Sequence, residues 1–211
     1  AKLARYQDLI DRYLSAADEN VLDMLNTRYA IVPGRDGAPE AVRRGTEYGA
    51  AWMVDSVVCV PTAQAEIDAL GTLDLRTTAV VSPLSTATSC CYLAPLGKLA
   101  SGEIALTEYR PNRLTYEYSA EGEAAAVFSE IYYDKGWTAF IDGEQAPYFR
   151  ADYVLRAMRL PAGKHTVEWI FRAPGWDWVE GITFAASLAI LAGAAAAIIH
   201  WLRSRKRERN G

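Results

Sequence analysis

In the stretch KHTVEWIFR, residues 164–172, the apolar Val167, Trp169 and Phe171 stand at every second position, and the polar Thr166 and Glu168 alternate with them. The same alternation runs through NRLTYEYS, residues 112–119. Successive side chains of a β-strand point to opposite faces, so this pattern is typical of a strand with one buried face and one solvated face. The two stretches therefore predict an antiparallel sheet that covers a core on one side.

Further short strands are predicted on both sides of these two stretches. From residue 88 onward, β segments follow one another at about 8–12 residues with no helix between them, which favours an antiparallel β-sandwich. Asp142-Gly143 predicts a type I′ hairpin, and Pro161-Ala162-Gly163 predicts a second turn. The predicted strands are 88–93, 102–109, 112–119, 124–132, 137–142, 144–149, 153–160 and 164–172.

The first part of the chain mixes helix and strand signals. Apolar residues at three- and four-residue spacings predict an amphipathic first helix. Asn20 is a candidate cap for a second helix and Thr62 for a third. The predicted helices are 2–15, 21–26 and 62–70, the predicted strands are 28–32, 51–60 and 77–82, and a loop is predicted over 33–49.

The stretch ITFAASLAILAGAAAAIIHWL, residues 182–202, predicts a membrane-spanning helix. It holds no charge and no proline, and about 20 residues at 1.5 Å each cross a ~30 Å hydrocarbon core. Trp176 and Trp178 precede it, and the basic run 203–209 follows it. The positive-inside rule then places the C-terminus in the cytoplasm and residues 1–178 on the outer side of the membrane. The alternative is a buried helix of a soluble protein. The tryptophans before the stretch and the basic run after it argue against this alternative.

One face of this helix is made of small side chains. Ala185, Ala189, Gly193 and Ala197 recur every four residues, and such a ridge lets another helix approach closely.

The chain starts at Ala1 rather than Met, so we interpret it as a piece of a longer protein. The expected partners are the lipid bilayer and upstream transmembrane helices of the same protein.

The fold class predicted is α+β and mainly β: N-terminal helices, an antiparallel β-sandwich and then one transmembrane helix. The net charge of −4 divides into +4 on the tail and −8 on the rest, which argues against a nucleic-acid partner. The predicted domains are an N-terminal α/β portion, a β-sandwich, a transmembrane helix and a basic cytoplasmic tail, at residues 1–87, 88–176, 179–202 and 203–211 respectively.

Motifs that would identify an enzyme are missing from the sequence. There is no nucleophile elbow, phosphate-binding loop or zinc-protease motif, and no cofactor or metal is expected. Neither His165 nor His200 has a plausible catalytic partner nearby in sequence. Acidic pairs such as Asp8 and Asp11, or Asp18 and Glu19, are expected to be solvated. The cysteines, interpreted as small buried apolar residues, are Cys59, Cys90 and Cys91.

Aromatic residues crowd into the segment 132–153. Sugars stack their C–H faces on exposed rings, so these residues are candidates for a carbohydrate platform, with two polar side chains as hydrogen-bond partners. The alternative is that the rings fill the core of the sandwich, since each buries a large area. The candidates are Trp137, Tyr132, Tyr133 and Tyr148, with Arg150 and Asp152 as the polar partners.

A family resemblance spans most of the chain. The stretch SEIYYDKGWTAFIDGEQAPYFRADYVLRAMRLPAGKHTVEWIFRAPGW, residues 129–176, resembles the C-terminal end of YfhO-like bacterial membrane proteins. Upstream, NVLDMLNTRYAIVP (20–33) and YGAAWMVDSVVCVPTAQAEIDAL (48–70) resemble further segments of that family. Two positions depart from its pattern: Asp134-Lys135 stands where proline is usual, and Asp152 stands where asparagine is usual.

The resemblance implies a polytopic protein of the bacterial inner membrane that is related to GT-C type glycosyltransferases. Such enzymes transfer sugars from lipid-linked donors to cell-envelope polymers. In such enzymes the catalytic acid lies in an outer loop near the first membrane helices, so no catalytic residue carries over to this chain. The expectation is a non-catalytic extracytoplasmic domain plus the last membrane helix, with an envelope glycan or lipid-linked sugar as a further partner. The alternative is a membrane-anchored carbohydrate- or protein-binding module.

Overall fold

The computed structural model describes residues 4–82 and 99–208. Contacts divide the chain into two units, one that reaches to Phe171 and one that starts at Arg172. The predicted strand 88–93 lies outside the described residues, as do Cys90 and Cys91. The prediction that Cys59 is buried is wrong, because this residue is exposed at the end of its strand. The two units meet between residues 171 and 172, so the predicted domain boundary between residues 87 and 88 stays a prediction.

The first unit contains three helices and thirteen strands among its described residues. The helices are α1 (Ala4–Arg12), α2 (Glu19–Met24) and α3 (Ala63–Leu70), with a 3₁₀ turn at Leu14–Ala16. The strands are β1 (Tyr29–Pro33), β2 (Pro39–Arg43), β3 (Ala51–Val54), β4 (Ser56–Cys59), β5 (Thr78–Val81), β6 (Gly102–Arg110), β7 (Arg113–Ala120), β8 (Ala124–Ile131), β9 (Trp137–Ile141), β10 (Glu144–Ala146), β11 (Phe149–Ala151), β12 (Leu155–Leu160) and β13 (Gly163–Phe171).

Two antiparallel sheets form the predicted sandwich. One has five strands in the order β10-β9-β13-β7-β6, and the other has four in the order β11-β12-β8-β3. Between them Phe128 packs edge-on against Tyr116 and Trp169, with ring centroids 4.9 and 5.1 Å away. The fold class predicted from the sequence is confirmed: mostly β, with N-terminal helices and one C-terminal apolar helix.

The four-stranded sheet also has a second covered face. Apolar side chains from α1, α2, α3 and β5 pack on it, among them Leu9, Met24, Leu70 and Val80, each fully buried. Residues 124–128 of β8 are buried at every position, and they read as a continuous apolar run rather than an alternation. The unit therefore has three layers: the five-stranded sheet, the four-stranded sheet and the helices.

The local predictions succeeded where short-range chemistry decides the structure. Asp142 and Gly143 have φ of 50° and 84°, which is the left-handed pair that a type I′ turn requires. Thr62 caps α3, since its hydroxyl accepts a hydrogen bond of 3.1 Å from the amide of Ala65. The turn at Pro161-Ala162-Gly163 joins β12 to β13, which lie in different sheets.

Several predicted boundaries are wrong. Residues 51–60 form two strands rather than one: β3 joins the four-stranded sheet, whereas β4 pairs in parallel with β5 across α3. The predicted loop 33–49 contains β2, which pairs with β1. The predicted strand 144–149 is interrupted between β10 and β11.

The cap predicted for the second helix is also wrong. Asp18, not Asn20, caps α2, because its side chain accepts a hydrogen bond of 3.0 Å from the amide of Val21. Asn20 instead donates to the carbonyls of Leu70 and Leu73 at the end of α3. Asp18 therefore has a structural role rather than being only a solvated surface residue.

The second unit is a single long helix, α4 (Trp176–Glu208). Its segment Trp178–His200 is long and apolar enough to cross a membrane, and it alone meets that test among the described residues. None of this segment is buried by the described part of the chain.

Candidate functional site

The predicted aromatic residues form a connected series in the first unit. The rings of Tyr132 and Tyr148 lie 5.7 Å apart between centroids, and Tyr148 packs edge-on against the buried Trp169 at 4.9 Å. The Tyr148 hydroxyl donates a hydrogen bond of 3.1 Å to the carbonyl of Trp137. The series therefore runs from the core of the sandwich to its surface, and it combines features of both sequence-based alternatives.

Exposure differs along this series. Tyr133 is 37% exposed, whereas Tyr132, Trp137 and Tyr148 are half-buried. Trp137 contacts Phe171, with 5.2 Å between ring centroids. The rings thus combine packing with a partly open surface, and their binding of a glycan stays a prediction.

Two arginines face the same side of the four-stranded sheet next to these rings. Arg150 and Arg156 are direct partners across β11 and β12. The guanidinium of Arg156 lies 4.1 Å from the centroid of Trp137 and 5.1 Å from that of Trp169. Stacking on the faces of aromatic rings stabilises a cation that has lost its water.

Both arginines keep unused hydrogen-bond donors. Arg156 is 3% exposed; its Nε donates to the carbonyl of Ile131 at 3.1 Å, while Nη1 is buried without a partner in the described part of the chain. Nε and Nη2 of Arg150 are likewise buried and unpaired there. Burial lowers the pKa of both guanidinium groups. These donor atoms are closed to solvent, so a ligand rich in hydrogen-bond acceptors would satisfy them only after the surrounding side chains move.

Sequence reasoning missed Arg156, although a signal was present. It stands in LRAMRL, a largely apolar strand that also contains Arg159, and a charged residue buried in such a strand needs a specific partner. Glu130 is the opposing charge that acts most strongly on Arg156. Burial raises the pKa of this carboxyl, and Arg156 acts in the opposite direction.

The structure places Asp152 in the interior rather than beside the exposed rings. It is 0% exposed and adopts a φ of 49° in the turn between β11 and β12. Its Oδ1 accepts a hydrogen bond of 2.8 Å from the amide of Val80, and its own amide donates to the Val80 carbonyl at 2.8 Å. Through these two hydrogen bonds Asp152 connects β5 to the turn between β11 and β12.

A second buried carboxylate, which sequence reasoning also missed, lies nearby. Glu66 of α3 is 0% exposed and accepts hydrogen bonds from Arg5 (2.9 Å), from the Ser82 hydroxyl (2.8 Å) and from the amide of Tyr153 (3.1 Å). Burial raises the pKa of Asp152 to about 8; the Val80 amide opposes this shift and Glu66 adds to it. At neutral pH the Asp152 carboxyl is therefore largely protonated, and it resembles the asparagine side chain in charge and shape.

His165 has a carboxylate partner that is distant in sequence. Its Nδ1 lies 2.6 Å from Oδ2 of Asp142, and its Nε2 lies 3.0 Å from the carbonyl of Ala162. Both neighbours are acceptors, so the protonated ring satisfies both, and the Ala162 carbonyl followed by Asp142 raises the pKa of His165. A ring held in this way has no free nitrogen with which to act as a base, and the pair stabilises the turns.

An open groove of about 810 Å³ lies elsewhere on the first unit. Its lining mixes charges of both signs, with Arg76 and Lys164 opposed by Glu103 and Glu117. None of the described polar atoms of its lining is buried without a partner. Among the described residues, no group of three histidine, cysteine or acidic side chains is placed to hold a metal ion.

The small-residue face of α4 is open along its length. Ala185, Ala189, Gly193 and Ala197 are all exposed in this unit, and a Cβ built on Gly193 meets no atom within 4 Å. Whether another helix packs there stays a prediction.

Comparison with known proteins identifies one family. Residues 92–183 match the family described as bacterial membrane protein YfhO, which confirms the resemblance over that region. No curated protein and no solved structure matches the chain. The match supports membrane association, in agreement with the apolar helix α4.

The protonated state of Asp152 leads to a pH-dependent stability. Its folded pKa of about 8 lies above the ordinary 3.8, so the native state binds the extra proton between these values. Unfolding free energy is therefore expected to fall as pH rises from about 4 to about 8, with a slope of at most ~1.4 kcal/mol per pH unit. Asp152→Asn should remove this contribution and raise stability at pH 8, as measured by urea unfolding across that range.

A matched control is Asp134→Asn, which changes an exposed carboxylate in the same way. Its pH profile should follow that of the unmodified chain. If Asp152→Asn leaves the slope unchanged, Asp152 is ionised in the folded protein and the proposed protonation is incorrect.

Proposed function

We propose that this chain, which contains a region of the YfhO family over residues 92–183, is the extracytoplasmic C-terminal domain and last membrane helix of a bacterial membrane glycosyltransferase. The longer enzyme would act on cell-envelope glycans, and this portion would be non-catalytic. The carrying observation is the direct passage from the last strand of a β-sandwich into an apolar helix that the chain itself leaves uncovered.

The helix supports a role within a membrane bundle. Its 23-residue span needs lipid or other helices around it, because no described part of the chain buries it. A helix that serves only as an anchor has no need of a small-residue face, whereas a helix that packs against others gains close contact from one. Ala185, Ala189, Gly193 and Ala197 provide that face.

The rings and arginines support contact with a glycan. Tyr133 offers an open ring, and Arg150 holds two desolvated N–H donors without acceptors in the described residues. Sugar hydroxyls supply acceptors, and sugar C–H faces cover rings. Since no catalytic residue carries over to this chain, the domain would hold an acceptor or a lipid-linked donor near the membrane bundle rather than transform it.

A membrane-anchored carbohydrate- or protein-binding module is the second candidate, because the same rings and donors would serve it equally well. The upstream coding sequence separates the two. About ten or more hydrophobic segments with an aspartate in an early outer loop favour the transferase, and a single signal peptide favours the module.

The proposed orientation predicts which sites are accessible from outside the cell. A membrane-impermeant thiol reagent should label Ser119→Cys in intact spheroplasts and should not label Asn210→Cys. Ser119 is exposed on β7, and Asn210 lies in the basic tail. Both variants should be built on Cys59→Ser, because Cys59 is itself exposed, and the parent chain gives the background. Labelling at both sites, or at the tail alone, would rule out this orientation.

The small-residue face predicts a packing-sensitive position. Gly193→Leu should lower the Tm of the detergent-extracted protein by a few degrees, because a bulky side chain forces two helix backbones apart. Ile190→Leu is the matched control, since it changes only the branching of a side chain that is 72% exposed. Equal melting of the two variants would mean that no helix packs on this face.

The glycan contact predicts a selective loss of affinity. Oligosaccharides released from the cell envelope should change the tryptophan fluorescence of the full chain, with a Kd on the order of millimolar. Tyr133→Ala should weaken binding roughly tenfold, or about 1.4 kcal/mol, because a stacking face is lost. Tyr29→Ala, which removes a ring 59% exposed on β1, should bind as the unmodified chain does. An equal loss for both variants, or no response at all, would contradict a glycan site here.

A further inference from the structure

Three segments far apart in sequence meet at one end of the five-stranded sheet. Phe171, the last residue of β13, pairs with Trp137, the first residue of β9. On the other side of β13, Ile170 pairs with Arg113, and the Phe171 amide donates to the carbonyl of Asn112 at 2.9 Å. The turn between β6 and β7, the loop before β9 and the chain that follows β13 therefore lie at the same end of the sheet. We call 109–113, 133–137 and 171–172 the exit edge.

The exit edge is rich in exposed rings. Tyr109 is 68% exposed and Tyr133 is 37% exposed. Trp137 and Phe171 pack together and are both half-buried. Large apolar side chains on a soluble surface usually indicate a partner when several of them lie together.

The same edge also carries cations. Arg110 pairs with Glu108 at 2.6 Å, and Arg113 pairs with Glu168. Lys135 and Arg172 form no ion pair with any described residue. Asp134 is the remaining acid of the exit edge. With Glu108 and Glu168 included, the exit edge therefore has three carboxylates and four cations, an excess of one positive charge.

The opposite end of the sheet has a different character. Its turns present Glu121 and Asp142-Gly143, and Asp142 is held by His165. None of the described residues of these two turns is aromatic. Exposed rings therefore concentrate at the end from which the chain leaves the sandwich. The opposite end carries the exposed cation Lys164, at the start of β13, close to the acidic residues of these two turns.

We infer that the exit edge rests on the headgroup layer of the bilayer that α4 crosses. Phe171 and the first helical residue, Trp176, are five residues apart, a length that spans about 18 Å at most. Tyrosine and tryptophan favour the interfacial layer, and lysine and arginine attract the phosphates of anionic lipids. The partner is a lipid surface, and the inference rests on the proposed membrane crossing of α4.

The contact can be measured with a fluorescent label on the full chain in nanodiscs. Bimane at Tyr109→Cys should be quenched by lipids that carry a nitroxide at the headgroup, and bimane at Glu121→Cys should be quenched severalfold less. Both side chains are exposed, so both variants keep the fold. Labelling of the unmodified chain in parallel corrects for the native cysteines, and Asn112→Cys, at an exposed residue, provides a second position on the exit edge.

Charge gives an independent measurement. Raising the fraction of anionic lipid should increase quenching at Tyr109→Cys, and the double change Lys135→Glu with Arg172→Glu should abolish that increase. Equal quenching at positions 109 and 121 would overturn the inference. Protection of the label by soluble glycan without quenching by lipid would also overturn it, in favour of a glycan surface. If Ser119→Cys and Asn210→Cys are still labelled from opposite sides in that case, the proposed orientation stands and only the lipid contact fails.

Discussion

Burial of both faces of the four-stranded sheet is the constraint on which the rest of the β-rich unit depends. Phe128 of β8 faces the five-stranded sheet, and Val127 faces the helices, so neighbouring residues of one strand belong to different cores. Small residues at 124–126 allow both layers to approach the strand closely. Without the helical layer one apolar face would meet water, so α1, α2 and α3 are part of the fold rather than attachments to it.

This constraint also explains which elements were predictable from the sequence. β7 and β13 each have one solvated face, and their alternation located them to within one residue. The Asp142-Gly143 turn and the apolar helix are decided by short-range chemistry. β3 and β4 lie in one stretch that is apolar apart from Asp55 and Ser56, and the different partners of the two strands show where one ends and the other begins. The choice of Asp18 over Asn20 as a cap likewise depends on α3, whose carbonyls engage the Asn20 amide.

The candidate site was likewise predictable from the sequence only in part. Its rings were visible as a cluster in the sequence, yet their exposure was not, because it depends on packing between sheets. Asp152 is adjacent in sequence to the ring Tyr153, but the turn between β11 and β12 directs its carboxyl to Val80. Arg156 is one of two arginines in the largely apolar strand β12, and only the fold shows that its guanidinium lies over the rings of Trp137 and Trp169. The sequence therefore indicated which rings and polar residues are candidates, but not what surrounds each of them in the folded protein.

Trp137 contacts two chemically distinct groups of residues, because its carbonyl accepts a hydrogen bond from Tyr148 and its ring packs against Phe171. On one side stand Tyr132, Tyr148 and Arg150, whose rings and unpaired donors suit a sugar. On the other side stand Tyr109 and Phe171, whose rings and flanking cations suit a lipid surface. A sugar carried on a lipid presents both chemistries at once, since its chain lies in the bilayer and its sugar stands at headgroup height. The two groups would then contact different parts of one ligand, and Arg150 would meet the sugar or its linking phosphate while the exit edge stays on the bilayer.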